Sequence, residues 1–198
     1  MLSLLAIVIS YLAGSISFSI VIAKLVKGID IRNHGSGNAG ATNTLRVLGI
    51  GPAILVLALD LLKGMGSVAL ARIVSEQDWL PVVCGLAAII GHNWPIWFKF
   101  KGGKGIATAI GVLSVLVFIP ALIAGIIAIL SIVFTRYVSL GSLIFTFLTP
   151  IFVLFLQFNW ANLIGTVIIC IFAFIRHRSN IVKLWNGTEN KLGSKKGA

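Results

Sequence analysis

The chain has 198 residues, 58% hydrophobic and 11% charged, with a mean hydropathy of +1.06. A water-soluble domain of this length carries about a quarter charged residues and could not hide so much apolar surface in one core, so the solvent is lipid. Cys84 and Cys170 both lie in apolar runs, which excludes a disulfide scaffold, and the hydrophobicity excludes a disordered chain. The net charge of +11 points, on a membrane protein, to anionic headgroups, topology or a phosphorylated substrate rather than to nucleic acid.

Apolar runs predict an all-α, polytopic membrane bundle in one domain, residues 1–198, with seven spans. Span 1 is Met1 to Ile22, uncharged, without the basic start of a signal peptide and rich in small residues suited to close helix contact. Span 2, Ile50 to Ala71, contains Asp60 and Lys63; span 3 is Leu80 to about Ile90. The run from Ile106 to Phe134 is too long for one crossing. Pro120 divides it into span 4, Ile106 to Ile119, and span 5, Ala121 to Phe134; the alternative is one kinked helix and six spans. Spans 6 and 7 are Leu140 to Leu156 and Leu163 to Ile175, and a basic tail from about residue 186 to 198 is expected to be mobile.

With seven spans, fourteen of the 16 Lys and Arg fall on one face. The positive-inside rule makes that face cytoplasmic, with the N-terminus outside and the C-terminus inside; six spans would split the charge. His34, His92 and His177 fall on the same face, so the chemistry is expected there.

Four segments carry it. The first runs from Gly35 to Arg46, Gly-Ser-Gly-Asn-Ala-Gly-Ala-Thr-Asn-Thr-Leu-Arg. It spells G-x-G-x-x-G, but the dinucleotide fingerprint needs a preceding strand and a βαβ unit. What remains is a loop whose amides can converge on an anion, with Ser36, Asn38, Thr42 and Asn43 as neutral partners and Arg46 as a fork for phosphate or carboxylate. The bland alternative is a flexible polar loop. The second segment runs from Gly91 to Gly105. Its aromatic half reads as a headgroup anchor, whereas Gly102-Gly103-Lys104-Gly105 opens span 4 and offers amides and a cation at a helix N-terminus. A basic snorkelling turn is the alternative. The third, Thr135 to Ser142, enters span 6, where Ser142 could be no more than a helix cap. The fourth, Arg176 to Lys183, puts His177 and Asn180 three apart, on one face if the helix continues.

Asp60 and Lys63 can neutralise each other across one helical turn and brace the bundle, helping to support the phosphate loop. No H-x₄-D, no metal-spaced Cys/His cluster and no G-x-S-x-G elbow is present, and Asp30 is the one acid near the motifs, so no metal is expected.

The first loop followed by K-G-G-K-G (101–105), S-L-G-S (139–142), R-H-R-S-N-I (176–181) and N-G-T-E-N-K (186–191) resembles the PlsY family in order and spacing across nearly the whole chain. These are bacterial membrane acyl-phosphate:glycerol-3-phosphate acyltransferases. The resemblance implies transfer of a fatty acyl group from acyl phosphate to the 1-hydroxyl of glycerol 3-phosphate, giving lysophosphatidic acid and phosphate. That is the first acylation of phospholipid synthesis, in the bacterial inner membrane at its cytoplasmic face. Carried over by position, Ser36, Lys104, Ser142, His177 and Asn180 are the expected catalytic residues, and Gly37, Asn38, Gly40, Thr42, Asn43, Arg46, Gly102 and Gly103 the expected phosphate-binding ones.

Acyl phosphate is a mixed anhydride with a good leaving group, so neither a covalent acyl-enzyme, a metal nor a cofactor is expected, and the enzyme is expected to be a monomer. Positioning two anions can supply most of the acceleration. The hydroxyl proton goes to His177 or to a substrate phosphate oxygen. The second is favoured here, because no residue in the sequence is evident to hold a histidine base. The rival class is a small transporter or channel for an anion such as phosphate, but no internal repeat is visible and only span 2 carries ionisable residues.

Overall fold

The computed structural model describes residues 1–193. Among these it contains no strand and ten α-helices: α1 (Leu2–Gly14), α2 (Phe18–Lys27), α3 (Ala41–Leu48), α4 (Ile50–Val74), α5 (Trp79–Asn93), α6 (Ile106–Leu116), α7 (Phe118–Thr135), α8 (Val138–Leu156), α9 (Trp160–Arg176) and α10 (Arg178–Trp185). Five stretches are long and apolar enough to cross a membrane: Leu2–Lys27, Ile50–Val74, Trp79–Phe98, Phe118–Thr135 and Val138–Leu156. The pair α9 and α10, bent by 63°, passes jointly as a sixth, and α6 is a shorter apolar helix. The chain divides into two compact units, Met1–Leu116 and Val117 onward.

In the first unit α4 is the hub, packed against α1, α2, α3, α5 and α6. In lipid no hydrophobic force draws helices together, so contact relies on small residues that let backbones approach. Gly64 of α4 and Gly111 of α6 each lie on the other helix's backbone, at Thr108 and Leu61, while Gly14 of α1 and Gly91 of α5 do the same at Ala88 and Tyr11. A side chain at any of the four would collide with a carbonyl.

Span 1 is not the continuous helix that its composition predicts. It breaks between α1 and α2, where Ser17 is extended (φ −87, ψ 91). The Ser15 hydroxyl donates to the Tyr11 carbonyl (2.8 Å), a local bond that competes with the helical ladder. The break frees the Ile16 carbonyl to accept from the Lys63 ammonium (2.8 Å).

The long run from Ile106 to Phe134 also breaks, as expected, but at Val117 (φ −144, ψ 63) rather than at Pro120. A proline ring clashes with the carbonyl four residues earlier, here Leu116, so the helix must end there. Pro120 falls instead in the first turn of α7, where a missing N–H costs nothing.

In the second unit α7, α8 and α9 pack in succession, with α10 against α8 and α9. Gly141 of α8 seats against Ile132 and the Ala128 carbonyl of α7. The other side of α7 exposes Ile129, Val133 and Phe134, an apolar face suited to hydrocarbon.

Candidate functional site

The candidate residues are divided between the two units. In the first, Asp30 opens a 3-10 turn at Ile31–Asn33, its carboxylate accepting from the Arg32 N–H (3.0 Å). The Arg32 guanidinium grips the same carboxylate with Nε at 3.0 Å and a terminal nitrogen at 2.6 Å. That hydrogen bonding holds the Asp30 carboxyl below its usual range. The guanidinium also donates to the Phe98 (3.0 Å) and Lys101 (3.3 Å) carbonyls. These flank Lys99 and Phe100, two successive residues at φ 58 and 57. Left-handed backbone without glycine costs of order 1–3 kcal/mol per residue and persists only where its surroundings impose it. Arg32 is thus the clamp between the first two glycine-rich segments.

The Gly35–Arg46 loop is built around Asn43, which is 1% exposed. Its Oδ1 accepts from the Ser36 N–H (2.8 Å), and its Nδ2 donates to the Ile31 (3.2 Å) and His34 (3.0 Å) carbonyls. Asn43, expected among the phosphate partners, is therefore the strut that shapes the loop. Gly35 sits at φ 62 with its missing Cβ directed at the Asn43 oxygen, so only glycine fits. Ser36, Gly37 and Arg46 are exposed, Asn38 and Thr42 half-buried. Gly40 caps α3 in an extended conformation, which aims the α3 N-terminus back at the loop.

The second segment begins a helix where the sequence predicts one. Gly102–Gly105 does open a helix, α6, with the Ala109 N–H donating to the Gly105 carbonyl (2.7 Å). The preceding His92 and Asn93 are buried (4% and 0% exposed), whereas Trp97 and Phe100 of the expected anchor are exposed. The Gly103 N–H donates to the His92 carbonyl (3.2 Å). The face of Gly103 lies directly on the His92 Nε2 and the Ala39 carbonyl, and Gly102 lies on the His92 carbonyl. The Ala39–Gly103 contact brings the segments that lead into α3 and α6 against each other. Two helix N-termini, with their unsatisfied N–H groups and positive dipole ends, thus start from one contact, with Arg46 and half-buried Lys104 nearby in sequence.

In the second unit the Ser142 hydroxyl donates to the Val138 carbonyl (2.8 Å), so Ser142 lies inside the first turns of α8 and is not its cap. The helix does not continue through His177: that residue ends α9 and begins α10 across the 63° bend. Its buried ring Nδ1 lies 2.8 Å from the Ala173 carbonyl. A carbonyl only accepts, so Nδ1 carries a proton. Asn180 donates to Glu189 Oε1 (2.8 Å), and Ser139 donates to the same oxygen (3.0 Å). The tail is tied down as far as it is described. Arg136 Nε and a terminal nitrogen donate to the Leu192 carbonyl (3.0 and 2.7 Å), whose own N–H returns to Arg136 (2.7 Å). Lys195 and Lys196 of the basic tail lie outside the described residues.

The residues that sequence reasoning passed over are His92, Asn93, Ser139 and Glu189. Glu189 had a signal, as one of five acids in the chain and alone in a basic tail. His92 shares the predicted face of His34 and His177, but nothing in the sequence gives it a role, since its partners come from other helices. Among the described residues no three His, Cys, Asp or Glu are grouped to hold a metal ion.

A family profile described as Glycerol-3-phosphate acyltransferase matches residues 4–187. The chain belongs to this family. A Glycerol-3-phosphate acyltransferase of Shouchella clausii is 58% identical over 200 residues, covering 98% of each chain. Two crystal structures of PlsY, an integral membrane glycerol 3-phosphate acyltransferase, align with the protein. The glycerol 3-phosphate form is 40% identical, covers 96% of each chain and has a TM-score of 0.92. The lysophosphatidic acid form is 39% identical, covers 96% and 95%, and has a TM-score of 0.90. The protein is accordingly an all-helical integral membrane protein.

Proposed function

We propose that this membrane enzyme transfers a fatty acyl group from acyl phosphate to the 1-hydroxyl of glycerol 3-phosphate, releasing lysophosphatidic acid and inorganic phosphate. The observation that carries the reading is the pair of glycine-rich segments clamped together by Arg32 and touching at Ala39 and Gly103. Two helix N-termini and the cations Arg46 and Lys104 suit an anion, and each substrate carries a phosphate. Family membership and the relatives' names support acyl transfer to glycerol 3-phosphate.

In this reading Ser36, Gly37, Asn38, Gly40, Thr42, Arg46, Gly102, Gly103 and Lys104 hold phosphates, with Asn43 keeping the loop in shape. Cations and amides aimed at the phosphate that leaves stabilise the charge it gains, so the C–O bond to phosphate breaks without a covalent enzyme intermediate or a metal. Ser142 and Asn180 orient substrate. The proton of the attacking hydroxyl goes to a substrate phosphate oxygen or to His177 Nε2. The Ala173 carbonyl now supplies the holder that the sequence lacked, and this favours His177 as base. The enzyme works as a monomer in seven spans, α6 being the shortest, with the N-terminus outside. The bacterial inner membrane is its location and the cytoplasmic face the side of the reaction.

The test is phosphate release by purified protein in lipid, with palmitoyl phosphate supplied with and without glycerol 3-phosphate. Release should need both substrates, yield lysophosphatidic acid and collapse in Lys104→Ala. No release from a folded sample would leave the anion transporter, to be tested by flux in liposomes. For His177→Ala, a rate that loses its acidic limb near the histidine range fits a base, and a uniformly lowered rate fits an orienting role.

A further inference from the structure

Beneath the Gly102–Lys104 turn lies a buried group of ionisable residues that the reaction above does not use. Asp60 and Lys63 of α4 have side chains 1% and 5% exposed and form an ion pair at 2.7 Å. The Lys63 ammonium has two further partners, the Ile16 carbonyl at the break in span 1 (2.8 Å) and His92 Nδ1 (3.0 Å), and it lies 5.5 Å from the Phe18 ring centroid. Asp60 Oδ1 is 3.5 Å from the same ring nitrogen. The Ser67 hydroxyl closes the group by donating to the Lys63 carbonyl (2.8 Å).

Three helices and a helix break therefore meet at one ammonium. A pair that only neutralised itself would not need the other two partners, and ionisable groups at membrane depth are costly to keep. The arrangement also has a direction. Read with Nδ1 accepting from the Lys63 ammonium, which has donors and no acceptor, the His92 ring carries its proton on Nε2. That is the edge on which Gly103 rests, while the His92 carbonyl receives the Gly103 N–H.

We propose that Asp60, Lys63 and His92 form a positioning relay that fixes the Gly102-Gly103-Lys104 turn in its phosphate-receiving geometry. It acts by orienting the His92 ring under Gly103. The inference rests on the reading of that turn as a phosphate site. Lys63 sets the angle of the imidazole, Asp60 holds Lys63, and the Ile16 carbonyl anchors the ammonium to the first span. None of the three touches substrate. A turn displaced from that geometry holds its phosphate less well, which raises the KM of that substrate.

The test uses full-length protein in nanodiscs, with KM and kcat measured separately for glycerol 3-phosphate and palmitoyl phosphate. Lys63→Met is expected to raise the KM of one phosphate substrate about tenfold while kcat and the other KM change by less than about threefold, a loss of positioning at one phosphate. His92→Asn offers an oxygen in place of Nδ1 but nothing in place of Nε2, and is expected to show the same split. Parental KM values in both variants, beside a collapsed Lys104→Ala, would overturn the relay and leave the three residues as a helix brace. Parental kinetics in Lys104→Ala would instead overturn the phosphate reading beneath it. Should the variants not fold, ¹⁵N-histidine spectra of the parent protein decide: His92 protonated on Nε2 alone supports the relay, and a ring protonated on Nδ1 overturns it.

Discussion

The two units place their functional residues by different means. In the first, the parts are backbone segments, and they are held by contacts that leave no room: Gly35 on Asn43, Gly103 on His92 and Ala39. In the second, the parts are side chains, and they are held by single hydrogen bonds: His177 to a carbonyl, Asn180 and Ser139 to one oxygen of Glu189. A backbone anion site has little tolerance for added volume but can survive small polar changes, because its donors are amides common to every residue. A side-chain site has the opposite weakness. It tolerates a methyl nearby and fails when one acceptor is removed.

The largest effect that would break this contrast is at Gly103. A Cβ there meets the His92 ring and the Ala39 carbonyl, so Gly103→Ala should lower kcat/KM about 100-fold or more while the protein still purifies as folded. Activity close to the parent would show that the turn can move, and the first unit would lose its distinguishing feature. On the other side of the comparison, Glu189→Ala removes the acceptor shared by Ser139 and Asn180. Hydrogen bonds to a charged group contribute about 1.5–3 kcal/mol each, so a loss of about tenfold to 100-fold in kcat is expected. Glu189→Gln keeps an acceptor oxygen and should recover much of it, and equal losses in the two variants would mean that the charge matters rather than the bond.

Asn43→Ala sharpens the comparison from inside the first unit, since it strands the Ser36 N–H and two carbonyls without adding volume. Leaving buried polar groups unpaired costs about 1–3 kcal/mol, to be read as a lower thermal midpoint in lipid together with reduced activity. A drop in activity with an unchanged midpoint would return Asn43 to the phosphate contacts. The smallest effect concerns the clamp. Arg32 holds Asp30 below the ordinary carboxylate pKa, so the pair stabilises the folded state above about pH 4, and this part is lost as the pH falls through the lower folded value. The pair is partly exposed, so the change is small. Thermal midpoints between pH 5 and 2 should fall slightly less in Asp30→Asn than in the parent, and identical curves would remove the pair from the ledger of pH-dependent stability.

Much of this was legible in the chain. The apolar runs placed α4, α5, α8 and α9 to within a few residues, because a run long enough to cross lipid has no other stable fold. The break in the run from Ile106 to Phe134 was legible from Pro120, though its position three residues earlier followed from where a proline ring clashes. The break after Ser15 was not legible, since the serines that allow it look like the small residues of any close-packed span. Glycine-rich segments and the basic end pointed to the right stretches but not to the division of labour within them. Asn43 reads as a donor to ligand and His177 as an unsupported histidine until their backbone partners are seen.

The sequence by itself determined what must be near lipid, where helices start and stop at prolines and glycines, and that the polar segments suit phosphate. These are properties of local composition, and they are written at consecutive positions. Tertiary structure decided which residue holds which. Besides its neighbour Asp30, Arg32 reaches partners 66 and 69 positions away, and besides Asp60, Lys63 reaches partners 47 and 29 away, and several are carbonyls that every residue carries. A backbone carbonyl has no signature in a sequence. It becomes a specific partner only when packing brings it within 3 Å of a donor and closes every other option.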